Sequence, residues 1–135
     1  MLRPDDLEAI ARTAVDCGYH LHRDIGPGLL ESVYEILLAE GLKEAGFTVE
    51  RQVTVPILFR GVAIDNAFKV DILVERKLLI ELKSVERNAA VHTKQVLTYL
   101  RLMDLPLGLL MNFGQATFKD GLQRVANNYF GRIPK

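Results

Sequence analysis

The stretch Phe68-Lys69-Val70-Asp71-Ile72-Leu73-Val74 is followed by Glu75-Arg76-Lys77 and then by Leu78-Leu79-Ile80-Glu81-Leu82-Lys83. Two apolar runs separated by a short charged segment predict a β-hairpin. On its first strand Phe68, Val70, Ile72 and Val74 share one face, and on its second Leu78, Ile80 and Leu82 do. Burying both sets together requires Val74 opposite Leu78, Ile72 opposite Ile80 and Val70 opposite Leu82. A loop of Glu75, Arg76 and Lys77 produces this pairing; a two-residue loop would shift it by one and send half the apolar side chains to the wrong face.

The same register determines the other face, pairing Leu73 with Leu79, Asp71 with Glu81 and Lys69 with Lys83. Two carboxylates then stand with Cβ atoms about 4.5–5.5 Å apart, which is destabilising unless something compensates. A hard divalent cation such as Mg²⁺ or Mn²⁺, which prefers carboxylate oxygens and water, removes the conflict. Lys83 lies two residues beyond Glu81 on the same face, beside that position. The competing reading is a solvated face on which Lys69 and Lys83 form surface ion pairs, and for an isolated hairpin it is the commoner outcome.

Two other segments add polar company. Glu31 shares a helix side with Tyr34, Leu38 and Leu42, at the border of the buried face. Taken alone it is a carboxylate favoured by a helix start. On a later helix His92, Gln95 and Tyr99 form a polar stripe, while Val96, Leu100 and Met103 form the apolar one.

Outward from the hairpin, Pro4, Asp5 and Asp6 form a helix start, and Leu7, Ile10, Ala11, Ala14 and Val15 recur at helical spacing to about His22. Asp24-Ile25-Gly26-Pro27-Gly28 is a breaker. A second helix is expected from about Leu29 to Ala45, with Gly46 just past its end. Val53, Val55 and Ile57 predict a strand, which Pro56 assigns to a sheet edge or a bulge. Gly61 and Asp65-Asn66 mark the next connection. The second hairpin strand is expected to reach Val85, and Val91 to Met103 to be helical. Leu107 to Phe113 is so uniformly apolar that it suits a strand buried on both faces, paired in parallel through the preceding helix. Leu122 to Ala126 fits a strand or a helical turn equally. This order predicts an α/β sandwich with a mixed sheet.

The chain has 135 residues, which fits one domain over 1–135. Lys plus Arg and Asp plus Glu are 17 each, so the formal net charge is zero and a coat of positive charge for nucleic acid is excluded. A local basic groove, or a cation at the phosphate, is not. The one cysteine, Cys17, permits neither an intrachain disulfide nor a four-cysteine metal centre, and is expected to be a buried helix residue. His20 and His22 are two apart and cannot share a helix face, which argues against a zinc site. The first residues are too acidic and polar for a signal peptide, and no apolar run approaches the ~18 residues of a bilayer span. A cytoplasmic protein with no membrane partner is the expectation.

Together these residues resemble the PD-(D/E)XK nuclease superfamily, and within it the small proteins of the GxxExxY family. The namesake motif reads Gly28-Leu29-Leu30-Glu31-Ser32-Val33-Tyr34. The central pattern reads Asp71, nine intervening residues, then Glu81-Leu82-Lys83. Gln95-Val96-Leu97-Thr98-Tyr99 and the stretch from Leu109 to Gly114 follow, so the match spans Ile25 to Asn128. Each motif is common; their order and spacing together are specific. Val70 stands where the superfamily's name has proline, a tolerated change.

The resemblance implies a three-layer sandwich whose mixed central sheet belongs to an αβββαβ core, here with an extra N-terminal helix. It implies Asp71, Glu81 and the backbone carbonyl of Leu82 as ligands of Mg²⁺ or Mn²⁺, with Glu31 contacting a metal directly or through water. Lys83 would orient or deprotonate the attacking water and stabilise developing negative charge, and Gln95 would support the site. Tyr99 would contact a phosphate, with His92, Lys69 and Tyr34 as weaker candidates for substrate contact. The expected function is metal-dependent hydrolysis of phosphodiester bonds in nucleic acid, DNA ahead of RNA. The alternative is a catalytically inactive nucleic-acid-binding or assembly module that retains the nuclease fold; a purely structural domain is a third reading. A homodimer is compatible with so small a surface for gripping a duplex.

Overall fold

Helix α1 (Leu7–Ile25) starts where Asp6 accepts a hydrogen bond from the Ala9 N–H at 3.2 Å, satisfying one of the donors that a helix start leaves open. A computed structural model describes residues 6–129, so Pro4 and Asp5 of the expected helix start lie outside the described residues. The helix runs one turn past His22, until Gly26 (φ 82°) closes it with its N–H on the His22 carbonyl. Helix α2 (Glu31–Glu44) follows, and Gly46 (φ 100°) takes the left-handed position expected beyond its end.

Then come β1 (Val49–Phe59), β2 (Val62–Val74), β3 (Leu78–Lys83), α3 (Ala90–Met103), β4 (Leu107–Asn112), the short α4 (Phe118–Gly121) and β5 (Leu122–Ala126). The five strands form one sheet in the order β1-β2-β3-β4-β5, antiparallel except for the parallel β3–β4 pair. Helices α1 and α2 cover one face through Ile10, Ala14, Leu38 and Leu42 against Ile72, Ile80 and Leu109. Helix α3 covers the other through Val96 and Leu100 against Leu79 and Leu110. The result is the three-layer sandwich with a mixed sheet and an additional N-terminal helix. Every residue of β4 is buried, as its unbroken apolar run predicts. Gly108 lets α3 approach that strand, since a Cβ there would lie 2.9 Å from Val96.

Some elements differ from expectation. Strand β2 begins at Val62, because the β1–β2 turn sits at Arg60 (φ 48°) and Gly61 (φ 82°). Asp65 and Asn66 fall inside β2, where three residues bulge opposite Pro56: Val55 faces Phe68 and Ile57 faces Ile64. Proline has no N–H for the ladder, so the bulge forms there, and β1 lies at the sheet edge. Strand β3 ends at Lys83 rather than Val85, and Leu122–Ala126 is a strand. Cys17 is half-buried rather than fully buried.

The hairpin register holds for three pairs, Val74 with Leu78, Leu73 with Leu79 and Ile72 with Ile80. Its turn closes with the Lys77 N–H on the Val74 carbonyl, and Glu75 and Arg76 both adopt positive φ. The expected pairs Asp71–Glu81, Val70–Leu82 and Lys69–Lys83 do not form a ladder; Lys69 faces Thr54 of β1 instead. Val70 packs with Leu79 and Val96 on the α3 face, whereas Ile72 and Leu82 pack beneath α1 and α2. In β1, Val49 belongs to the first core and Val53 to the second. The β1–β2 ribbon therefore changes faces at the level of Gln52 and Asp71, and β2 parts from β3 there.

Candidate active site

Where two strands separate, their backbone groups lose ladder partners and need others. Two carboxylates provide them. Glu81 Oε1 accepts from the Asp71 N–H at 2.9 Å, and Asp71 Oδ2 accepts from the Leu82 N–H at 2.9 Å. The acidic side chains thus converge at the fork between β2 and β3 instead of projecting side by side. Glu81 is only 5% exposed. Burial, and next the Asp71 charge, push its carboxyl up to about 8, against the pull of the Asp71 N–H and of Lys83. Among the described residues neither carboxylate forms an ion pair with Lys69 or Lys83, so the solvated-face reading does not describe this hairpin.

Several expected residues surround the fork. Burial raises the Glu31 carboxyl; Lys83 and His92 lower it, while Asp71 and Glu35 add to the rise, so Glu31 at the start of α2 lies within electrostatic reach of the hairpin. Tyr99, stacked on Phe68 with centroids 4.1 Å apart, has its hydroxyl pushed up by burial and by the charges of Glu81 and Asp71. Lys83 ends β3, and its carbonyl accepts from the Phe113 N–H at 2.8 Å. Gln95 is exposed on α3, and Lys69 is exposed on β2; neither bonds to the carboxylates.

Tyr34 corrects an expectation. It is fully buried, stacks on Phe113 at 4.6 Å, donates to the Gly26 carbonyl at 2.6 Å and accepts from the Leu29 N–H at 3.1 Å. Its ring packs in the core and its hydroxyl anchors the α1–α2 loop, a buried position rather than the exposed one expected of a substrate contact. His22 is likewise structural, buried against Phe113 and Phe118 with Nε2 2.9 Å from the Gln115 carbonyl.

The family description that matches the chain, from residue 8 to residue 125, is that of the PD-(D/E)XK nuclease superfamily. The chain belongs to the PD-(D/E)XK nuclease superfamily. Among proteins of curated function, none matches the sequence. Superfamily membership implies a nuclease acting on nucleic acid, and PD-(D/E)XK nucleases generally use divalent metals.

Among the described residues no group of three or more His, Cys, Asp or Glu side chains could hold a metal together, so Glu31 does not complete a three-carboxylate cage. The Asp71–Glu81 pair fits a different arrangement, in which one or two carboxylates are supplemented by water and phosphate oxygens, as Mg²⁺ is commonly held.

Other residues at the PD-(D/E)XK fork were missed in the sequence. Glu35, 5% exposed, accepts from Arg51 Nε at 2.9 Å and from Gln52 Nε2 at 2.7 Å; Gln52 Nε2 also donates to Asp71 Oδ1 at 3.2 Å. Asn112, 2% exposed, accepts from the Val85 and Gly114 N–H groups and so holds the chain just after Lys83. A signal for Gln52 existed: aligning Val53 with Val70 and Val55 with Phe68 sets it opposite Asp71. Glu35 gives less, since an acid one residue beyond a buried tyrosine reads as solvent-facing.

Proposed function

We propose that this chain, as one domain over 1–135 and a member of the GxxExxY branch, is a Mg²⁺- or Mn²⁺-dependent nuclease that hydrolyses phosphodiester bonds, with DNA its first candidate substrate. The observation that supports it is the convergence of Asp71 and Glu81 at the β2–β3 fork, each bound to the other strand's backbone and one of them too buried to ionise easily.

In this reading Asp71, Glu81 and the Leu82 carbonyl would hold the ion, and Glu31 would contact it directly or through water. A divalent ion bound there supplies positive charge against the phosphoryl oxygens and lowers the pKa of water. Lys83 places a fixed ammonium beside the same phosphate and stabilises charge as it develops. Gln95 and His92 flank the entrance on α3. Tyr99 closes the α3 side and orients a phosphate through its hydroxyl, and Lys69 extends the positive surface along β2. No helix among the described residues is long and apolar enough to cross a membrane; a homodimer would widen the surface available to a duplex.

One other reading is a nucleic-acid-binding module that has lost catalysis, to which a chain of zero formal net charge with no broad positive coat is open. Purified protein incubated with labelled single- and double-stranded DNA and RNA, in Mg²⁺, Mn²⁺ or EDTA, separates the two. Metal-dependent cleavage that disappears in Lys83→Ala supports the enzyme. Binding without cleavage under every condition supports the module.

A further inference from the structure

We propose that Gln52 is a positioning residue for the proposed ion site, aiming the Asp71 carboxylate while the buried Glu35, paired with an exposed Arg51, aims Gln52. The inference rests on the reading of Asp71 as a metal ligand.

The side-chain amide of Gln52 has two N–H donors, and each goes to a different carboxylate: Glu35 Oε1 at 2.7 Å and Asp71 Oδ1 at 3.2 Å. An amide set between two carboxylates presents its nitrogen to both, so its orientation is not free. Glu35 is held from behind by Arg51, through Nε at 2.9 Å and the terminal nitrogen at 2.9 Å. Asp71 is thereby gripped on both oxygens, Oδ1 by Gln52 and Oδ2 by the Leu82 N–H. Each oxygen keeps a further lone pair, which is what a bound ion needs.

The backbone shows that this is built into the fold. Gln52 has φ 52°, a left-handed conformation in mid-strand that is uncommon for a side chain of this kind. At that residue the β1–β2 ribbon changes faces, between Val49 in one core and Val53 in the other. The twist presents the Gln52 amide to Asp71 at the level where β2 leaves β3. Strained backbone that the surroundings hold in place is concentrated at functional sites.

The test compares Mn²⁺ affinity, by titration calorimetry, with thermal unfolding in wild type, Gln52→Gly and Gln52→Asn. Glycine and asparagine both accept positive φ, so each variant is expected to fold with a midpoint close to wild type. Glycine removes the amide, and asparagine shortens its reach by one methylene. Groups that orient metal ligands typically account for 10- to 100-fold in affinity, so about a tenfold loss is expected in both. A purely structural role would move the unfolding midpoint and leave the affinity of the folded protein alone. Folded variants that bind Mn²⁺ within twofold of wild type overturn the inference while leaving the ion site standing. Wild-type protein that binds no Mn²⁺ overturns the site, and the inference with it.

Discussion

Lys83 and Tyr34 illustrate how differently two residues of the same motif set behave. Lys83 lies within electrostatic reach of Glu81, yet among the described residues it forms an ion pair with neither Asp71 nor Glu81. Its replacement by alanine should lower cleavage at least 100-fold while Mn²⁺ affinity stays within about threefold, because a charge-stabilising group acts on the transition state rather than on the ion. Parallel loss of both would reassign it to metal binding. Tyr34 should behave in the opposite manner. Tyr34→Phe leaves the Gly26 carbonyl and the Leu29 N–H without their partner, and denaturant titration should show a loss of about 1–3 kcal/mol. Residue spacing alone could not separate these roles, since a motif reports which residues recur and not whether their hydroxyls already have partners. Gln52 is legible only in part: strand alignment sets it opposite Asp71, but the positive φ that turns its amide there has no local pattern.

The β2–β3 hairpin shows where reading a strand by its apolar pairing succeeds and where it stops. Three apolar pairs formed as alternation requires, because a one-residue slip would move each side chain to the other face of the sheet, against the wrong helix layer. Beyond Ile72 and Ile80 the ladder stops, and the acids cap the freed backbone instead. This element carries a pH dependence. Glu81 is raised in the fold from 4.5 to about 8, so the native state holds its proton more tightly than the unfolded chain does. The stabilisation is complete below about 4.5 and is lost as pH rises through about 8. Metal-free protein should therefore lose stability across this interval, and Glu81→Gln should flatten the profile. An unchanged profile in the variant would assign the trend to other groups. Where α3 meets β4, Gly108→Val should cost about 1–3 kcal/mol by overpacking against Val96.

Across the whole molecule, the three layers follow from features that the sequence states openly: helical periodicity in α1 and α3, and an unbroken apolar β4 that only a doubly covered parallel strand can use. The distal part of the β1–β2 ribbon was harder to read, because Leu58, Phe59, Val62 and Ile64 have strand-like patterning yet remain exposed. Phe59→Ser should accordingly change stability by no more than about 0.5 kcal/mol. The two carboxylates connect this architecture to chemistry, and ion binding should be accompanied by proton release, because Glu81 must ionise to become a ligand. The most direct measurement is calorimetric Mn²⁺ titration at pH 7 in two buffers of different ionisation enthalpy, on wild type and Asp71→Asn. The account predicts one site that releases close to one proton per ion in wild type and is weakened at least 100-fold in the variant. Equal binding by both proteins, or binding without proton release, would contradict it.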